Sequence, residues 1–126
     1  VDAITEQHDG GETLGARGRL APDGPLTSAL TAAGARPATV LTTDLFYDPR
    51  KEAPAKWVAD GAGVVAMEAP PVLAIAARRR GAGAVLLGVT DLLASGDRER
   101  MARDDLGPLG LALGEAGWAA LAALAG

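Results

Sequence analysis

Short apolar runs separated by glycine, proline and charge divide the 126-residue chain into elements. Residues 1–24 are polar and glycine-rich ("TEQHDGGETLGARGRLAPDG") and read as a strand end followed by a mobile loop. Pro25–Ala35 ("PLTSALTAAGA") reads as a short helix, because proline suits a first turn and Gly34 suits an end. Arg36–Thr43 is β-rich and stops at Asp44. A helix is expected near Pro54–Asp60, closed by Gly61, with a short apolar strand over Ala62–Ala66 after it. "PPVLAIAARRRG" predicts a helix with Pro70 and Pro71 in its first turn and Gly81 as its C-cap. Ala84–Val89 ("AVLLGV") is a continuous apolar run, the pattern of a strand buried on both faces. Pro108–Ala125 predicts a long helix. Leu109, Leu113, Ala116, Ala120 and Leu124 form one apolar stripe on it, and Leu111, Trp118 and Leu121 form another, so it is expected to be largely buried.

Strands that alternate with helices imply an α/β fold, with a mainly parallel sheet covered by helices on both faces. The length fits one domain spanning 1–126, and no internal repeat is visible. In such sheets ligands bind beyond the carboxyl ends of the strands. Three expected strands end in "TTDLFY", "AMEA" and "TDLL", and each brings a carboxylate or an aromatic to that edge. An apolar segment gains nothing from a carboxylate unless something polar binds there.

Composition narrows the chemistry. Aromatics make up 3% of the chain, so the core must rest on Leu, Val, Ile and Ala. A net charge of −4 argues against a nucleic-acid groove, which needs a basic surface. With no cysteine, disulfides, thiol catalysis and thiolate metal sites are excluded. No His/Asp/Glu cluster has metal-ligand spacing. No apolar run approaches the ~20 residues of a membrane span and no signal peptide is visible, so no membrane partner and a cytoplasmic location are expected. Val1 in place of Met fits a fragment, or a start codon other than ATG translated literally.

Three stretches in order, "TTDLFYDP", "GAGVVAMEAPPVLAIAARRRG" and "AVLLGVTDLL", resemble the C-terminal half of the nucleoside phosphorylase family, which includes purine nucleoside and uridine phosphorylases. The resemblance covers residues 23–117. It implies a three-layer sandwich lacking its N-terminal half, and a homo-oligomer whose ligands are a purine nucleoside and phosphate. Phosphate is a co-substrate and no cofactor is implied. Val65, Met67 and Glu68 would line the ribose, Glu68 accepting hydrogen bonds from its hydroxyls. Phe46 and Tyr47 would pack on base and sugar. Asp91 would be the general acid at N7 of a purine, and Arg100, or Arg98, would steer its proton. An aspartate in the place of Asp91 points to the purine-type members.

Two departures stand beside the resemblance. Ala66 occupies the position before Met67 where the family usually has an acidic residue. No glycine loop with phosphate-holding arginines is recognisable, and "GARGRL" reads as a loop ahead of a helix. Two alternatives follow: a same-fold nucleosidase that uses water, and a non-catalytic remnant that binds nucleosides weakly or only associates with other subunits. Plainer roles exist for each residue. Asp91 could cap a turn, Glu68 could be an ordinary helix N-terminal acid, Met67 could fill a core, and Arg78–Arg80 could be a solvated helix end.

Overall fold

The structure is a computed structural model that describes residues 2–5, 14–45, 48–92 and 99–125. It is mixed α/β. In chain order the elements are β1 (Asp2–Thr5), β2 (Arg19–Leu20), α1 (Gly24–Ala32), β3 (Thr39–Thr42), α2 (Ala53–Ala59), β4 (Val64–Ala66), α3 (Ala69–Arg78), β5 (Asp91–Leu92), β6 (Glu99–Arg100) and α4 (Arg103–Ala125). One sheet has the order β2-β1-β3-β4, and β5 and β6 form a separate two-stranded ribbon. β3 is parallel to both β1 and β4, whereas β2 is antiparallel to β1.

Strand alternation feeds two apolar clusters. On one face Ala3 and Val40 meet Ala69 and Leu73 of α3, with Val64 and Ala66 at the margin. On the other, Leu41 meets Ala53 and Trp57 of α2 together with Ala62, and Val65 packs against them. Successive residues of β3 point to opposite faces, so Val40 and Leu41 serve different clusters.

Local chemistry sets the helix ends. Asp23 caps α1, its Oδ1 accepting the Leu26 N–H at 3.0 Å. That bond satisfies one of the donors that an α-helix leaves free at its start. Gly34 and Gly61 follow α1 and α2 with φ of 99° and 89°, the left-handed region that suits glycine. At the end of α3 the left-handed residue is Arg80, with φ 55°, and not the expected Gly81. The helix stops two residues before Arg80, so its terminal reversal falls on a side chain that has no preference for it.

Two other expectations are corrected. Ala84–Val89 forms no strand. Among the described residues it joins neither sheet. The run is half-buried instead: Val85 and Leu87 pack on the α3 cluster, and the Gly83 carbonyl accepts the Asp23 N–H at 2.7 Å. The terminal helix starts at Arg103 and carries Pro108 inside it. It packs against α1, and Ala120 is its one buried residue among those described. Its second stripe faces solvent, with Leu111 71% and Trp118 74% exposed. By length and composition alone α4 would suffice to cross a membrane, a feature the apolar runs did not reveal.

Candidate functional site

The parallel register puts Thr42 opposite Ala66, so the carboxyl ends of β3 and β4 lie side by side. The Thr43 N–H donates to the Ala66 carbonyl at 3.2 Å and extends the pairing by one residue. Beyond that rung the chain diverges. Thr43 stays buried, its Oγ1 accepting the Leu45 N–H at 3.2 Å, and Asp44 is exposed. Thr42 is fully buried, and its Oγ1 has no hydrogen-bond partner among the described residues.

Met67 and Glu68 follow β4 directly and are exposed at this edge. Glu68 is the N-cap residue of α3, but its carboxylate makes no capping hydrogen bond. Both prolines sit in the first turn of α3, where no N–H is needed for the helix ladder. Val65 is half-buried and packs on the α2 cluster, so its side chain turns away from the edge. Phe46, Tyr47 and Arg98 lie outside the described residues.

Asp91 and Arg100 come together although nine residues separate them. β5 and β6 pair antiparallel with Asp91 opposite Arg100. The Arg100 Nε–H donates to Asp91 Oδ1 at 2.9 Å, and the Thr90 hydroxyl donates to Oδ2 at 2.9 Å. Met101 N–H to the Thr90 carbonyl, at 2.7 Å, continues the ribbon. Asp91 is therefore engaged across the two-stranded ribbon. Its side chain keeps 23% of its surface exposed and that of Arg100 keeps 62%.

These residues make two groups, the strand edge with Met67 and Glu68 and the ribbon with Asp91 and Arg100. Among the described residues the ribbon has no extensive contact with β4 or α3. Sequence reasoning placed Thr42 and Thr43 only as a strand end, and the threonine doublet before Asp44 was the signal that polar groups gather there. Asp48 is fixed by Arg50, whose Nε–H donates to Oδ1 at 2.9 Å and holds the carboxyl below its usual range. Among the described residues no group of three His, Cys, Asp or Glu side chains is placed to hold a metal ion. No family model and no curated protein matches the chain.

Proposed function

We propose that this chain supplies the nucleoside-holding part of a phosphorylase-type active site for purine nucleosides. In the complete fold the two clusters flanking the sheet would belong to a three-layer sandwich with a mainly parallel sheet. The observation that carries the reading is the hydrogen bond from Arg100 to Asp91, which joins two residues assigned one job in the resemblance. The exposed, uncapped carboxylate of Glu68 supports it. Four acceptor sites on a carboxylate suit a vicinal diol.

In this mechanism Glu68 accepts the ribose hydroxyls and Met67 lies against the sugar face. Asp91, protonated before the step, gives its proton to N7 of the base as the bond from C1′ to N9 breaks, and is left as the carboxylate that pairs with Arg100. A phosphate oxygen then forms the new bond to C1′, and the products are ribose 1-phosphate and a free base. Arg100 holds the Asp91 carboxylate in position. A general acid of this kind contributes about 10²–10⁴-fold. The phosphate-holding groups would come from outside the residues assigned here, and the site is shared in a homo-oligomer.

Base release from inosine and adenosine, with and without phosphate, tests the proposal. Release that depends on phosphate is expected. Phosphate-independent release would replace phosphorolysis with hydrolysis by a nucleosidase. No release by the folded chain would favour a non-catalytic association module. The separation of the ribbon from the strand edge favours that second reading.

A further inference from the structure

The Asp91 carboxyl meets two donors of different kinds. The Arg100 Nε–H reaches Oδ1 and the Thr90 hydroxyl reaches Oδ2, both at 2.9 Å. A guanidinium has donors only, whereas a hydroxyl both donates and accepts. The two carboxyl oxygens are therefore not equivalent. A proton on Oδ1 would compete with Arg100 for that oxygen and weaken the ion pair. A proton on Oδ2 leaves the Arg100 bond intact, and Thr90 Oγ1 can turn to accept it. An oxygen–oxygen separation of 2.9 Å suits a hydrogen bond in either direction.

The main chain fixes Thr90 without help from its side chain. Its carbonyl accepts the Met101 N–H at 2.7 Å, one rung beyond the pairing of Asp91 with Arg100. The six residues before it, Ala84–Val89, carry no polar side chain, so its hydroxyl does not belong to a wider polar surface. Thr90 and Asp91 are both half-buried, and water competes only in part for the bond between them. β6 is the element that packs extensively on β5, and it sets Arg100 opposite Asp91 and Glu99 opposite Leu92. Successive residues of a strand point to opposite faces, so Arg100 is the charged group that β6 presents to Asp91.

We infer that Thr90 is a positioning residue that keeps the proton of Asp91 on Oδ2 and makes Oδ2 the oxygen that delivers it. The inference rests on the phosphorylase reading for its reaction and deepens that reading by assigning the path of the proton. In the protonated acid, Oδ2–H donates to Thr90 Oγ1. When the proton leaves, the Oδ2–H bond breaks and its electron pair stays on Oδ2, while the N7 lone pair forms the new N7–H bond. The Thr90 hydroxyl keeps its own proton and turns to donate to the new carboxylate. One donor on each oxygen, as in this structure, is the arrangement left after the step.

Thr90→Val exchanges the hydroxyl for a methyl of similar size and spares the Met101 bond, which uses main-chain atoms. Thr90→Ser keeps the hydroxyl. Carbon-13 NMR of the Asp91 carboxyl in the full chain, assigned with Asp91→Asn, reads its titration midpoint without any substrate, and circular dichroism checks folding. A hydrogen bond to a carboxylate is roughly twice as strong as one to a neutral carboxyl, so loss of Thr90 disfavours the carboxylate more than the acid. The midpoint should rise by about half a pH unit or more in Thr90→Val and return in Thr90→Ser. In phosphate-dependent base release from inosine, Thr90→Val should lower kcat about tenfold with KM changed less than about twofold. The limb on which the rate falls with rising pH should move up with the midpoint. An unmoved midpoint, a Thr90→Ser chain that behaves like Thr90→Val, or an equal loss of rate at every pH would overturn the inference. A folded chain that releases no base would end the phosphorylase reading instead, and the midpoint would still decide whether Thr90 holds the Asp91 proton.

Discussion

Gly83 offers the most demanding test of the packing. A Cβ built there would sit 2.6 Å from the Cβ of Ala76 and 3.9 Å from Leu73 Cδ2. Carbon atoms pack at about 3.5–4.0 Å, so Gly83→Ala must open the site by roughly 1 Å. Alanine has no rotamer to move. The shift must come from α3 or from the segment after it, and both are tied. Gly81 N–H donates to the Ala76 carbonyl at 2.9 Å, and the Gly83 carbonyl accepts the Asp23 N–H at 2.7 Å. Gly83 lies outside the left-handed region, so backbone strain adds nothing. Overpacking costs about 1–3 kcal/mol, and alanine recovers about 0.4–1 kcal/mol by restricting the unfolded chain. A net loss of roughly 1–2 kcal/mol in urea unfolding is expected. Ala76→Gly alone should cost about 1 kcal/mol for glycine in a helix. The double variant should be less destabilised than the sum of the two single variants, by about 1–2 kcal/mol of coupling. Gly63→Ala is the control, because its Cβ meets nothing within 4 Å. If Gly83→Ala matched the control, or if the double variant were strictly additive, the close approach of this segment to α3 would be refuted.

Four further outcomes are expected. Asp91→Asn should lose about 10²–10⁴-fold in phosphate-dependent base release but no more than ~1 kcal/mol of stability, since an exposed ion pair contributes little; kinetics and urea unfolding on one preparation separate the two effects. Arg80→Gly should stabilise the fold by about 1 kcal/mol, because glycine tolerates the left-handed end of α3 that an L side chain resists, and a thermal melt reads it. Thr42→Val should be neutral or stabilising by about 1 kcal/mol in denaturant unfolding, because it removes a buried hydroxyl that has no partner among the described residues. Arg50 depresses the Asp48 pKa in the folded state, so the unfolded state binds more protons and stability rises with pH. That contribution is present above the unfolded value near 3.8 and is lost as pH falls through the folded value; Asp48→Asn should flatten the fall of the urea midpoint between pH 5 and pH 2.

The sequence by itself determined what is local. Helix starts at Pro25, Pro54 and Pro70 were legible because proline favours a first turn, although the same rule misplaced the start of α4, which carries Pro108 inside it. Gly34 and Gly61 announced two helix ends because only glycine turns left-handed without cost. Short β-rich runs gave β3 and β4, and their polar ends marked an edge where Thr43, Asp44, Met67 and Glu68 gather. Tertiary structure decided the rest. "AVLLGV" is apolar enough for a central strand, but pattern measures burial and cannot say what covers a run, and here Val85 and Leu87 pack on the α3 cluster without joining a sheet. Two stripes on α4 read as two buried faces, yet burial needs a neighbour, and α1 covers only one of them. The meeting of Asp91 with Arg100 depends on hairpin register, which no spacing in the sequence specifies. Propensity acts through a residue and its near neighbours, whereas pairing and burial depend on which distant surfaces remain to be filled.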